Sequence, residues 1–218
     1  MIAVLKNDYP KAFLLQGTHY DVAYSTVSGH QSLNDPKACR ECKNEGRQIC
    51  TGEDEEQCML LYSLDNLVLV QIEKFLTQFD GSKAGVKSRC DMMLYGDDKI
   101  AFVEMNCGRR NNLFPKTAMN SAKSVGDMGK MAKARQQLSE TIEKLCSVPS
   151  IEQKIERFRE KVALLAFRDK SNIHNQSEVE KQMSVFLSMP NRVAKNRHTS
   201  LPHGFDFSMV SYPEEYQW

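Results

Sequence analysis

Two acidic residues, Asp91 and Glu104, stand where a divalent cation could bridge them. The stretch from Ser88 to Asn106 reads as a β-hairpin turning at Gly96-Asp97-Asp98-Lys99, with Asp97-Asp98 as its two-residue loop. That register pairs Tyr95 with Ile100, Met93 with Phe102 and Asp91 with Glu104. Side chains alternate between the faces of a strand, so Asp91, Glu104 and Asn106 point the same way. Carboxylates opposite each other repel, with Cβ atoms about 5 Å apart. A divalent cation between them removes the repulsion, and hard cations such as magnesium prefer oxygen ligands. The plainer reading is a pair of acids on a solvated hairpin face.

The residues after the hairpin suit a polyanion. Residues 1–108 carry 11 Lys and Arg against 16 Asp and Glu, and residues 109–218 carry 18 against 12. Seven basic residues lie between Arg109 and Arg135, with Asp127 as the one acid. Arg109, Arg110, Lys116 and Lys123 are the candidates to grip a phosphate backbone, which supplies much of nucleic-acid affinity. The stretch 191–198 is also basic and free of acids, and would extend the same surface. A merely solvated basic helix is the competing explanation.

Four of the seven cysteines fall in one polar segment, as Cys39-x2-Cys42, then Cys50, then Cys58. In a cytoplasmic setting such a cluster suggests metal more than disulfides. Four thiolates can close a tetrahedral zinc site, and the same ligands suit an iron–sulfur cluster. His30 is a substitute ligand. Ordinary thiols in a polar loop are the alternative. Cys90 lies beside Asp91 on the opposite strand face, and reads as a small core hydrophobe. Cys107 has no histidine near it in sequence to make it a nucleophile.

Taken together, the hairpin and its neighbours resemble the PD-(D/E)xK nuclease superfamily. The residues that carry the resemblance are Arg89-Cys90-Asp91 followed by Met92-Met93-Leu94, and Ile100 to Asn106 with Glu104 at the motif acid. They also include the Gln137-Leu138 and Thr141-Ile142 pattern, and Glu73 on a preceding helix. The resemblance covers about Asp65 to Leu145 and, more loosely, Val162–Phe167. It implies a metal-dependent nuclease in which Glu73, Asp91, Glu104 and Asn106 are catalytic, the acids holding Mg2+ or Mn2+ and Asn106 orienting the water. One departure matters, because the motif lysine is Asn106 here. Asn donates a hydrogen bond but brings no charge. Either the site tolerates Asn106, or a lysine enters from elsewhere, with Lys116 and Lys123 as candidates. The third option is an inactive nuclease-fold subunit that binds nucleic acid or a protein partner.

These residues need elements to position them. The spacing predicts a helix over Cys58–Phe79, the hairpin, a helix within Thr117–Cys146 and a short helix or linker at Ile151–Arg159. A buried strand at Val162–Phe167, a helix at Glu178–Leu187 and an edge strand at Phe205–Tyr212 follow. Residues 1–30 give no clear assignment. The order predicts one domain over 1–218, a restriction-endonuclease-like α/β sandwich with a central mixed sheet flanked by helices. A Cys-rich insertion occupies about 34–58. A length of 218 residues with 41% apolar and 26% charged composition suits a globular chain. No apolar run approaches the roughly 18 residues that span a membrane, and no secretory signal is seen, so the expected location is cytoplasmic. Homo-oligomerisation stays open.

The cysteine cluster yields the first prediction. Cys39, Cys42, Cys50 and Cys58 hold one structural zinc ion that orders a loop with few apolar residues of its own. Elemental analysis of protein purified without chelator should give near one equivalent of zinc. Under about a tenth of an equivalent of zinc or iron, with unchanged thermal stability in Cys39→Ser/Cys42→Ser, would return these residues to ordinary thiols.

Overall fold

The computed structural model describes residues 1–15, 19–33, 59–108, 129–169 and 200–218. Its elements in chain order are α1 (Ile2–Ala12), β1 (Tyr24–Leu33), β2 (Met59–Val70), α2 (Ile72–Thr77), β3 (Met92–Tyr95) and β4 (Lys99–Gly108). Then come α3 (Gly129–Cys146), α4 (Pro149–Glu156), β5 (Glu160–Asp169), β6 (Ser200–Leu201), β7 (Phe205–Ser211) and β8 (Glu215–Gln217). The strands form one open mixed sheet of eight, ordered β1-β2-β3-β4-β5-β7-β6, with β8 pairing onto β2. The chain is therefore α/β. The pairs β4–β5, β5–β7 and β2–β8 are parallel, and the others are antiparallel.

Alternation along β3 and β4 sorts their side chains into two cores. Met93, Ile100 and Phe102 join the helix-side core with Leu5 and Tyr9 of α1, Ile72 and Phe75 of α2, Leu138 and Ile142 of α3, and Ile151 of α4. Met92, Leu94, Ala101, Val103 and Met105 enter a second core on the other face. Tyr216 and Trp218 pack against that second core. At the helix side, Tyr9 meets Phe75 and Phe79 edge-on, with ring centroids 5.4 and 5.0 Å apart. The Tyr9 hydroxyl donates to Ala84 O at 2.6 Å, so its one polar atom is satisfied in the core.

The hairpin matches its expected register, with Tyr95↔Ile100 and Met93↔Phe102. Gly96 N–H donates to Lys99 O at 3.0 Å, which closes the Asp97-Asp98 loop. A Cβ on Gly96 would lie 3.1 Å from Leu67 Cδ2 and 3.2 Å from Trp218 Nε1, so a larger residue would push on both. The buried strand at Val162–Phe167 is the centre of β5. The expected helix over Ile151–Arg159 is α4, and the described part of the Thr117–Cys146 helix is α3.

The helix expected over Cys58–Phe79 is corrected. Its described part is a strand, β2, followed by the six-residue helix α2. The run Leu67-Val68-Leu69-Val70 is buried on both faces of the sheet, and such a run has no period of its own. Leu64, whose spacing from Leu61 and Val68 suggests a helix, is 85% exposed. The β1–β2 register jumps from Val27↔Leu67 to Gly29↔Ser63, so Leu64, Asp65 and Asn66 bulge out opposite Ser28. The expected edge strand at Phe205–Tyr212 is β7, and β6 covers its outer side over two residues. Residues 1–30, left unassigned, hold α1 and most of β1. The helix at Glu178–Leu187 and the basic stretch 191–198 lie outside the described residues, as does the Cys-rich segment. No helix among the described residues is long and apolar enough to cross a membrane.

Phe102 should prove a keystone of this core, because it is fully buried mid-sheet with its ring 5.4 Å from that of Phe205. Phe102→Ala is expected to lower unfolding free energy by about 3–5 kcal/mol. A urea midpoint unchanged from the parent would contradict this packing.

Candidate active site

The short helix α2 and the hairpin strand β4 converge on Asp91, the residue just before β3. Asp91 N–H donates to Val103 O at 3.1 Å, and its C=O accepts from Glu73 N–H at 3.2 Å. Its Oδ2 accepts from Met105 N–H at 2.6 Å. The strand ladder stops one step earlier, at Met92↔Val103. The expected direct pairing of Asp91 with Glu104 is therefore replaced by a tie of Asp91 across β4. The physical reason is that a desolvated carboxylate takes the nearest main-chain donor.

Asp91 is 7% exposed and Glu104 is 6% exposed. They are the two buried charged residues among the described ones, so the solvated-face reading fails. Glu104 alternates with Val103 and Met105, which face the second core, and so projects to the helix side with Phe102. Cys90 reports the shared field. Burial pushes its thiol well up, and the charges of Glu104 and Asp91 push it further. Cys90 is thus held as a neutral thiol in the core, as expected, but it lies before β3 in the helix-side core with Met93 and Phe102 and not on an opposite strand face.

Asn106, two residues beyond Glu104, also faces the helices. Its Oδ1 accepts from the Lys130 Nζ at 2.6 Å. Lys130 is the second residue of α3, which starts at Gly129 with φ 76°. Lys116 and Lys123, the lysines expected to enter, lie outside the described residues, as do Arg109 and Arg110. The basic run contains Lys130, but only the start of α3 singles it out. Further along α3, the Arg135 guanidinium sits 4.8 Å over the Phe207 ring. That cation is packed against an aromatic face, whereas Lys133 is exposed.

Glu73 is brought to Asp91 by its main chain. Its charge also reaches Arg89, whose guanidinium is held up chiefly by hydrogen bonds to Asp80, at 2.5 and 2.9 Å. Among the described residues no three His, Cys, Asp or Glu side chains group closely enough to cage a metal ion. The donor set offered here is the carboxylate pair Asp91 and Glu104. Magnesium is commonly bound by one or two carboxylates, with waters and substrate phosphates completing its shell. Two buried carboxylates fit that pattern, and a dedicated protein cage is not what it requires. His30 donates or accepts at Glu215 Oε1 over 2.6 Å and lies against Tyr62, in an exposed position on β1. No protein-family model, curated protein or solved structure matches this chain.

Two buried carboxylates that both act on Cys90 have a thermodynamic signature. In chelator, Glu104→Gln should raise unfolding free energy by about 1 kcal/mol, since it removes one of two like charges. Added magnesium should stabilise the parent protein and leave the variant unmoved. A destabilised Glu104→Gln, together with no magnesium effect on the parent, would argue against a shared cation.

Proposed function

We propose that this protein is a metal-dependent nuclease that hydrolyses phosphodiester bonds on a restriction-endonuclease-like core. The observation that carries the reading is the burial of Asp91 and Glu104 on one hairpin, with the Lys130 ammonium hydrogen-bonded to Asn106 beside them. A sheet built only for stability avoids such a pair of acids.

Asp91 and Glu104 would hold magnesium or manganese, which when bound supplies an activated water and Lewis-acid charge. Asp91 is oriented for this by Met105 N–H, which occupies Oδ2. Glu73 is tied to Asp91 through its main chain, and its side chain does not join the two carboxylates as a third ligand. Hydrolysis forms one bond from water oxygen to phosphorus and breaks the bond to the leaving oxygen. Negative charge grows on the phosphoryl oxygens as it does so. Lys130 has three donors and no acceptor, and offsets that charge from a neighbouring element. Asn106 fixes the ammonium through its Oδ1. The charge that Asn106 lacks is thus supplied by Lys130, which favours the active reading over an inactive subunit. Arg109, Arg110, Lys116 and Lys123 remain the proposed backbone grip, with Lys133 an exposed addition on α3.

The test is incubation of purified protein with single- and double-stranded DNA and RNA, in magnesium and then manganese. Cleavage should fall at least a hundredfold in Asp91→Ala and Glu104→Ala, and about a hundredfold in Lys130→Met. Cleavage indifferent to Asp91→Ala and Glu104→Ala would reject this site. Salt-sensitive binding without any cleavage would favour the inactive subunit instead.

A further inference from the structure

Three consecutive residues lead into Asp91, and a different side chain of α3 holds the main chain of each. Ser88 N–H donates to Glu140 Oε2 at 3.3 Å. Arg89 C=O accepts from Gln137 Nε2 at 3.1 Å. Cys90 N–H donates to Thr141 Oγ1 at 2.9 Å. The next residue is Asp91, whose N–H and C=O are taken by β4 and α2. From 88 to 91 the chain is neither helix nor ladder, so its main-chain groups need partners of this kind.

The holders are spaced as one helix face. Positions 137, 140 and 141 are neighbours at three- and four-residue steps. Two of the holders are themselves oriented. The Thr141 hydroxyl donates to Gln137 O at 2.7 Å, and Gln136 Nε2 donates to Glu140 Oε1 at 2.7 Å. Thr141 is fully buried, and β-branched polar residues are not favoured inside helices. Its hydroxyl is placed to accept from Cys90, one residue short of the carboxylate.

We propose that Gln137, Glu140 and Thr141 are positioning residues that clamp the backbone of Ser88–Cys90 and so aim the Asp91 carboxylate at Met105 N–H. The clamp stands on the hydrogen bonds alone, and its consequence for metal binding rests on the nuclease reading. Partners that orient a metal ligand typically govern about a ten- to hundredfold range of affinity.

The test uses the full chain as Thr141→Val, Thr141→Ser and Gln137→Leu. Thr141→Val keeps the shape and removes the acceptor, Thr141→Ser keeps the acceptor, and Gln137→Leu serves if Thr141→Val folds poorly. The first readout is nuclear magnetic resonance of the Met105 amide proton, which reports the carboxylate it donates to. In Thr141→Val and Gln137→Leu this signal should shift and Cys90 exchange should quicken by about tenfold or more, with both restored in Thr141→Ser. A Met105 amide unmoved in folded Thr141→Val and Gln137→Leu overturns the clamp, because a purely structural role would leave it unmoved. The second readout is manganese affinity, which should weaken about tenfold in Thr141→Val and recover in Thr141→Ser. Shifted Met105 signals in a protein that binds no manganese at all would support the clamp and overturn the metal reading alone.

Discussion

Ten residues of β4 pair in parallel with β5, from Lys99↔Glu160 to Gly108↔Asp169. A parallel pair cannot be joined by a tight turn, so the chain must cross back over one face of the sheet. The described part of that crossing is α3 and α4. Phe102, Glu104 and Asn106 alternate onto the same face. The crossover between β4 and β5 is therefore also the roof over the acidic residues. Lys130 arrives above Asn106, and Gln137, Glu140 and Thr141 arrive beside the residues that precede Asp91. Topology delivers one helix to both sides of the site.

Burial makes the site costly in isolation and orderly in context. A carboxylate removed from water loses solvation unless hydrogen bonds or charges replace it. At Asp91 a main-chain donor does part of this, through Met105 N–H at 2.6 Å. That donor belongs to a strand packed on both faces, since Phe102 lies in one core and Val103 and Met105 in the other. Glu104 is thus mounted on a strand packed on both faces, and Asp91 is tied to that strand from just outside the ladder. Their cationic neighbour, Lys130, is mounted on a different element.

Much of the hairpin was legible because one local signal is strong there. The Gly96-Asp97-Asp98-Lys99 turn sets the register between Met92–Tyr95 and Ile100–Asn106. β2 was not legible, because Leu67–Val70 is apolar throughout and reads equally well as helix. The bulge at Leu64–Asn66 also left residues at helical spacing where no helix exists. Asp91 and Glu104 could be named from residue type and spacing. Their burial, and the turn of Asp91 toward Met105, depend on a helix layer distant in sequence. Lys130 was hidden for the same reason: its pairing with Asn106 joins residues 24 apart in sequence, and no local pattern distinguishes it from its basic neighbours. Gln137 and Thr141 carried a visible pattern, but what they hold became clear only once Arg89 and Cys90 lay beneath them.

The split between strand-borne acids and a helix-borne ammonium has a consequence for cooperativity. If acid and cation shared one strand, they would keep or lose their geometry together. Here the cation is held by the docking of α3, and that docking has its own local opening free energy, smaller than or equal to that of the whole domain. Any fluctuation that lifts the first turn of α3 separates Lys130 from Asn106 while the carboxylates stay seated in the sheet. On the proposed nuclease reading, the site is thus a two-part assembly, competent only in the fraction of molecules whose roof is closed. Whatever seats that roof, including a polyanion bridging α3 and the sheet, would raise that fraction and so act on competence by population rather than by contact with the acids.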